Sequence, residues 1–310
     1  MICTITLNSS IDKAYQLSQP VEAGTVMRVA TCIDNAGGKG LNCARAVATC
    51  GEDVVASGFV GGHNGQLLCD LLAADGIDEQ FVRVAAETRC CINVLDPDGR
   101  STEFLEPGRE VSEAEVEQML VKVKELAEAC DVVTINGSVP KGAPADVYAQ
   151  IITLVKAAGK PVILDTSGAN LLNAIEAGPT MIKPNTDEMA QILGREISSL
   201  DEVVAAAQEI KAKGVERVVV SLGGDGALMV CDEGVFRGHA PKIDVVNPVG
   251  AGDTMVGAFA VAMARGKDPK ETLAYAMACA SANCLSPSTG HFDKVVADDL
   301  LSKTKVEPLS

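Results

Sequence analysis

Asn247-Pro248-Val249-Gly250-Ala251-Gly252-Asp253-Thr254 lies between an apolar run, Ile243 to Val246, and a long small-residue pattern, Met255 to Arg265. The run reads as a strand and the pattern as a helix, with two glycines flanking one alanine at the junction. Glycine admits backbone turns closed to other residues, so successive N–H groups can converge on one point, and the first N–H groups of a helix lack internal partners. The helix dipole adds partial positive charge there, which suits a transferring phosphoryl group or a developing oxyanion. Asp253 is out of keeping with an anion site. A carboxylate repels phosphate, unless its task is to take a proton from a nucleophile attacking that phosphate. The plainer reading is a helix cap in an ordinary tight turn. The segment alone leaves both readings open.

Outward from this stretch, short apolar strands alternate with helical patterns. Ile2 to Leu7, Val54 to Phe59, Val132 to Asn136, Val162 to Asp165, Met181 to Lys183 and Arg217 to Ser221 read as buried strands. Leu41 to Thr49, Gln66 to Ala74, Glu113 to Ala129, Ala145 to Ala158, Glu188 to Leu193 and Leu200 to Lys213 read as helices. Such alternation predicts a parallel sheet covered on both faces, with ligands at the carboxyl ends of the strands. Two regions break it. Asp12 to Asn35 holds two strand-like pieces, Ala14 to Leu17 and Val26 to Ile33, and Phe81 to Leu105 holds more around Asp96-Pro97-Asp98-Gly99. They predict a small separate sheet, a lid over the strand ends that also offers a dimer surface.

Composition narrows the function. The 310 residues carry a formal net charge of −16 without a basic run to offset it, which argues against nucleic acid and anionic lipid as partners. The three His residues, His63, His239 and His291, are widely separated and argue against a His-centred metal site. Eleven Cys residues form no Cys-x-x-Cys and lie mostly among apolar or small neighbours, as small buried hydrophobes do in a reducing compartment. The chain opens directly on a strand pattern, and no uncharged apolar run reaches ~18 residues, so a cytoplasmic protein is expected. No long Gly/Ser/Pro linker divides it, so one domain over 1–310 is expected.

Further polar turns fall at strand ends. Ala36-Gly37-Gly38-Lys39-Gly40-Leu41-Asn42 opens the first helix as a second anion-friendly turn, although it lacks the Gly-Lys-Ser/Thr of a Walker A loop. Taken alone it is equally a flexible turn with a solvated lysine. Asp12 falls near the same rim, where a carboxylate can accept sugar hydroxyls, or simply shape a turn. Asn136-Gly137-Ser138-Val139-Pro140 offers N–H and hydroxyl donors, and Lys183-Pro184-Asn185 with Glu188 puts two oxygen-bearing side chains on one helical turn, which suits a hydrated Mg²⁺. Ser221-Leu222-Gly223-Gly224-Asp225-Gly226 adds a glycine loop for a nucleotide. Neither glycine loop has Gly-x-Gly-x-x-Gly spacing, which disfavours a dinucleotide-binding dehydrogenase.

In this order, Asp12, Gly-Gly-Lys-Gly-x-Asn, Thr88-Arg89, Gly-Ser-x-Pro, Lys-Pro-Asn-x-x-Glu, Ser-Leu-Gly and Gly-Ala-Gly-Asp together resemble the ribokinase-like sugar kinases, in particular the phosphofructokinase B branch, over essentially the whole chain. The resemblance implies an α/β fold: a three-layer α/β/α core with a mainly parallel sheet and a small β-sheet lid, built from insertions at about 12–35 and 81–106. It implies phosphorylation of a hydroxymethyl group with ATP and Mg²⁺, admits a monovalent cation, and implies a homodimer through the lid. By position, Asp253 resembles the base, and the amides of Gly250, Ala251 and Gly252 the anion hole. Lys183, Asn185, Glu188, Ser221, Gly223 and Gly226 resemble the nucleotide contacts, with Glu188 and Asn185 on Mg²⁺, and Asn283 resembles the position beside the adenosine. Asp12, Gly38 and Asn42 would hold the sugar.

Arg89 in the second insertion and Arg28 in the first, with Lys39 and Ser138, suggest an acceptor that already carries a phosphate, unless the two arginines pair with surface carboxylates. Ser9 and Pro248 stand where the branch usually has proline and threonine. Asn-Pro-Val-Gly resembles tagatose-6-phosphate kinases, while the general pattern equally suits 1-phosphofructokinases. The expectation is conversion of a ketohexose monophosphate to its bisphosphate. Fructose 1-phosphate stands ahead of tagatose 6-phosphate, with fructose 6-phosphate behind. A non-catalytic sugar-phosphate and nucleotide sensor is the rival, and the presence of Asp253 with Asn185 and Glu188 argues against it.

Overall fold

The structure is a computed structural model that describes residues 1–309. In chain order its elements begin with β1 (Ile2–Thr6), β2 (Ser10–Gln16), β3 (Thr31–Gly37), α1 (Lys39–Thr49), β4 (Val54–Val60), α2 (Gly62–Ala74), β5 (Asp78–Glu79), β6 (Val82–Arg83), β7 (Arg89–Leu95) and β8 (Ser101–Leu105). They continue with α3 (Glu113–Ala129), β9 (Val132–Asn136), α4 (Val147–Ala157), β10 (Val162–Asp165), α5 (Gly168–Ile175), β11 (Met181–Ile182), α6 (Thr186–Leu193), α7 (Leu200–Lys211) and β12 (Arg217–Ser221). The remainder is β13 (Ala227–Cys231), β14 (Gly234–His239), α8 (Ala251–Ala264), α9 (Pro269–Cys284), α10 (Lys294–Lys303) and β15 (Lys305–Leu309).

Successive side chains of a strand point to opposite faces, and the central strands are apolar on both. Val219 of β12 faces one apolar cluster while Val218 and Val220 face another, and β10 divides in the same way at Ile163 against Val162 and Leu164. Helices α1, α2, α8, α9 and α10 cover the first face, and α3 to α7 the second. The result is three layers around a sheet of order β15-β14-β13-β12-β11-β10-β9-β1-β4-β5, with β6 also on β4. Strands β12 to β5 along that path run parallel, and β13 to β15 antiparallel. The parallel strands end on one rim, at Thr6, Asn136, Asp165 and Ser221. The two inserted regions form a separate four-stranded sheet, β3-β2-β7-β8.

Three local expectations change. Ile243 to Val246 is not a strand: Val245 and Val246 are exposed, and the N–H groups of Val246 and Asn247 donate to the Cys284 carbonyl at 2.8 and 3.1 Å. β13, β14 and the returning C-terminal β15 already occupy that end of the sheet. In the lid, the second strand runs from Thr31 rather than Val26, because its pairing with β2 sets Gln16 opposite Thr31 and Ser10 opposite Gly37. Gly168–Ile175, unassigned from sequence, is a helix.

Helices α1 and α8 approach so closely that a Cβ on Gly257 would lie 2.7 Å from the Cys43 carbonyl oxygen and 2.9 Å from the Ala46 Cβ. Backbone cannot yield as a flexible side-chain tip does, so Gly257→Ala should cost about 1–3 kcal/mol of stability. Urea denaturation of the variant checks this, and an unchanged midpoint would contradict the packing.

Candidate active site

Gly250 caps α8 in the left-handed region at φ 79°, which lets the chain pass from the Asn247–Val249 loop into the helix. A side chain there would also strike Thr289 Cγ2, at 2.6 Å from a Cβ. The Ala251 N–H turns back to the Pro248 carbonyl at 3.3 Å, a long bond that leaves the group only loosely engaged. The amides of the expected anion hole therefore sit at a true helix N-terminus. Over them lies Lys183, buried just beyond β11, whose Nζ is 3.3 Å from where a Gly252 Cβ would be.

Asp253 occupies the first turn of α8 and is 9% exposed. Burial pushes its carboxyl up to about 6, and the nearby charge of Asp165 adds to the rise. The Asn42 hydrogen bond and the ammonium groups of Lys39 and Lys183 oppose it. The Asn42 Nδ2 donates to Asp253 Oδ2 at 2.8 Å. Such a carboxyl is ionised at neutral pH yet basic enough to accept a proton, as a general base must be.

Asp165, at the end of β10, is the residue that sequence reasoning missed. It is buried, with Oδ1 3.4 Å from Lys183 Nζ and Oδ2 3.8 Å from Lys39 Nζ, and Oδ2 has no hydrogen-bond partner. Its charge is the main cause that raises the Lys39 ammonium. Beside it, Asn136 of the adjacent strand leaves Oδ1 without a partner. The available signal was a run of three apolar residues ending in a carboxylate at the rim where every other candidate lay.

Asn185 and Glu188 do face one another, but in a capping box at the start of α6. The Asn185 Oδ1 accepts from Glu188 N at 2.8 Å, and Glu188 Oε2 accepts from Asn185 N at 2.9 Å. The second Glu188 carboxylate oxygen and the unpartnered Asp165 Oδ2 are hard oxygen donors at the same rim. That sparse set suits Mg²⁺, which keeps waters and phosphate oxygens as its remaining ligands. Ser221 lies alongside, bridged to Asn185, and its N–H donates to the Pro184 carbonyl. Gly223 and Gly226 close the turn from β12 to β13, where Leu222 N–H donates to the Gly226 carbonyl at 2.9 Å.

On the lid side, Asp12 projects from β2 and accepts from Ser10 Oγ at 2.7 Å. Burial raises its carboxyl, while Ser10, Arg89 and Arg45 hold it down. Gly37 stands on the neighbouring strand where any Cβ would overlap the Asp12 carboxylate, so glycine there makes room for it. Gly38 caps α1, with Lys39 as its first residue. Arg89 opens β7 and is anchored to the Asn8 and Glu106 carbonyls at 3.1 and 2.8 Å. Ser138 accepts from Asn8 Nδ2 at 3.0 Å.

Two residues stand apart from the cluster. Arg28 is exposed in the loop before β3, with no side-chain hydrogen bond or ion pair among the described residues. Asn283 is fully buried, so it reaches no open surface beside a nucleotide. Instead its Oδ1 accepts from Thr254 Oγ1 at 3.1 Å and Gly290 N at 2.9 Å, and its Nδ2 donates to the Val249 carbonyl at 3.0 Å. It fastens the turn that precedes Asp253.

Comparison with known proteins agrees with this geometry. The profile of the pfkB family of carbohydrate kinases matches residues 5–294. Phosphofructokinase-2 from Escherichia coli, in a crystal structure with potassium, is 31% identical with a TM-score of 0.93, over 97% of this chain and 98% of that one. A protein described as a possible 1-phosphofructokinase from Thermotoga maritima is 25% identical over the full length of both chains, with a TM-score of 0.90. Arabidopsis thaliana ribokinase, complexed with ribose and ATP, is 24% identical over 97% of this chain and 98% of that one, with a TM-score of 0.80, and shares the fold. A buried carboxyl raised to about 6 at a helix N-terminus, with the charges of Lys39 and Lys183 near it, is thus set in a known frame, and the chain belongs to the pfkB family of carbohydrate kinases.

Proposed function

We propose that this sugar kinase transfers the γ-phosphoryl group of ATP to the free hydroxymethyl group of a ketohexose monophosphate, giving the bisphosphate. Fructose 1-phosphate is the first choice of acceptor, tagatose 6-phosphate the second and fructose 6-phosphate the third. The carrying observation is Asp253 at the N-terminus of α8, raised to about 6 and set among Lys39, Lys183 and Asp165. Asp253 takes the acceptor's hydroxyl proton, while the amides of Gly250, Ala251 and Gly252 and the two lysines hold the charge on the transferring group. Lys183, Asn185, Glu188, Ser221, Gly223 and Gly226 form the proposed nucleotide wall. Mg²⁺, when bound, neutralises phosphate charge, and Glu188, fixed by Asn185, and Asp165 are the groups suited to hold it.

Asp12, Gly38 and Asn42 are the proposed sugar contacts, and Arg89, Lys39 and Ser138 the proposed contacts of the acceptor's phosphate. One Escherichia coli phosphofructokinase-2 structure is a complex with fructose 6-phosphate, at 30% identity to this chain, which supports a phosphorylated acceptor here. Arg28 joins the set only if the lid brings it inward. Ile33 and Leu105 lie on the lid face that carries Asp12 and are 56% and 63% exposed. A second copy covering that face is the proposed dimer. The proposed compartment is the reducing cytoplasm, supported by eleven free thiols, most of them buried. No described helix is long and apolar enough to cross a membrane.

Parallel assays of ATP turnover with fructose 1-phosphate, tagatose 6-phosphate, fructose 6-phosphate and fructose test the reading, and preference for unphosphorylated fructose would overturn the acceptor class. Asp253→Asn removes the base and should lower kcat roughly 10²–10⁴-fold. Turnover near wild type in the folded variant would remove Asp253 from that role. Arg89→Ala deletes charge-assisted bonds to the phosphate, so the acceptor KM should rise roughly 10–10²-fold while the ATP KM holds. Equal rises in both would place Arg89 elsewhere. The reaction needs Asp253 ionised, so kcat with both substrates saturating should fall as pH drops through about 6. A profile flat well below that value would contradict the assignment.

A further inference from the structure

Arg45 is buried in α1, three residues beyond Asn42, and the proposed chemistry leaves it without a task. A buried guanidinium needs partners for its donors, and every partner here is specific. Its Nε donates to Asp75 Oδ2 at 2.7 Å, at the end of α2, and its Nη2 to the Ala36 carbonyl at 2.6 Å. Its Nη1 donates to Asn42 Oδ1 at 3.2 Å, and the amide at the other end of Asn42 meets Asp253 Oδ2 at 2.8 Å. The chain Asp75–Arg45–Asn42–Asp253 therefore links the end of α2 to the base through three side-chain contacts.

We propose that Arg45 is a positioning residue for phosphoryl transfer: acting through Asn42, it determines which oxygen of the Asp253 carboxylate takes the acceptor's proton. The argument is one of donors and acceptors. A guanidinium carries donors only, so the Asn42 oxygen must face Arg45 and its NH₂ must face Asp253. That NH₂ occupies one lone pair of Oδ2 and stabilises the negative charge there, so Oδ1, which accepts no side-chain hydrogen bond among the described residues, is the more basic oxygen. The acceptor's O–H bond then breaks toward Oδ1, its electron pair forms the new O–P bond to the γ-phosphoryl group, and the P–O bond to ADP breaks with its pair. Without Arg45 the Asn42 amide can turn over and set its oxygen against the carboxylate. Gly290 supports the same arrangement from the other side, since a Cβ there would lie 3.1 to 3.2 Å from Asn42 Cα, Cβ and Oδ1.

This rests on the kinase reading, and the test separates the two. Asn42→Ala, Arg45→Gln and the double variant are compared by kcat, by KM for ATP and acceptor, and by the Asp253 carboxyl titration followed by ¹³C NMR. The charged groups facing Asp253 are Asp165 from β10, Lys39 from α1 and Lys183 beyond β11. Asp75 and His291 lie near Arg45. All remain in these variants, and Arg45→Lys, which keeps the charge, separates its loss from loss of the Asn42 bond. Arg45→Gln should lower kcat roughly 10–10²-fold with the ATP KM unchanged, and the double variant should lose no more kcat than Asn42→Ala alone. The Asp253 midpoint should move upward by the same amount in all three.

Losses that multiply in the double variant, or an Asp253 midpoint that moves with Asn42→Ala but not with Arg45→Gln, would overturn the proposal. Should Arg45→Gln fail to fold, Asp75→Asn leaves Arg45 in place and loosens its anchor. It should give a smaller kcat loss that vanishes in the Asn42→Ala background, and a loss that persists there would count against the relay. A wild-type protein without turnover on any phosphosugar would overturn the phosphosugar reading, and the NMR titrations would still decide the relay.

Discussion

Two carboxylates, Asp253 and Asp165, are buried together at the rim of the sheet, close enough for the charge of one to raise the other. Withdrawing ionised groups from water is expensive unless opposite charge and hydrogen bonds are arranged around them. Much of the rim is organised to meet that demand. Lys39 comes from the first residue of α1 and Lys183 from the turn beyond β11, and both reach Asp165. The N-terminus of α8 and the Asn42 amide serve Asp253. The compensation is partial, and for the proposed base the incomplete part is the useful one: a fully compensated Asp253 would be too weakly basic.

The packing beneath follows from the same requirement. Asn42 can bond Asp253 only if α1 and α8 nearly touch, and Gly257 against Cys43 and Ala46 permits that approach. Toward the rim, the strands exchange valine and isoleucine for Thr4, Thr6, Thr134 and Asn136, which are buried and polar. Thr4 Oγ1, Thr6 Oγ1, Asn136 Oδ1 and Asp165 Oδ2 lack partners. Unpartnered buried groups oppose stability, by about 1–3 kcal/mol each. Three of them, on Thr6, Asn136 and Asp165, sit at the carboxyl ends of their strands, on the rim where the proposed ligands would bind.

The layers were legible in the sequence because central parallel strands are continuous apolar runs and the helices between them are periodic. The turn at Gly250 and the lysine and glycine turns were legible for a related reason, since unusual backbone needs unusual residues. Ile243 to Val246 misled because a short apolar run need not be buried or paired: Val245 and Val246 are exposed, and β13 to β15 already fill that end of the sheet. Asp165 stayed hidden because a single carboxylate at the end of a strand carries no spacing, and its partners come from residues 39 and 183. Arg45 was hidden more deeply: arginine in an amphipathic helix reads as solvated, and only the placement of Asp75 and Asn42 makes it internal. Asn185 and Glu188 show the converse, since their spacing was read correctly as a shared turn while the turn's own cap accounts for part of what they do.

The excess of carboxylates over basic groups, −16 in all, is hard to reconcile at first with the two phosphorylated ligands proposed. Range resolves it. At physiological salt, charges more than about 8 Å apart on a surface are largely screened, whereas those facing one another in a partly dry cleft are not. Lys183 is almost entirely buried, and Arg89 is tied by two backbone carbonyls and forms no salt bridge among the described residues, although Asp12 lies within range of its charge. A phosphate held beside either cation, as proposed, meets it at contact distance and the surface carboxylates only through salt water. The net charge therefore governs which large polyanions stay away, and the local arrangement governs which small ones are held.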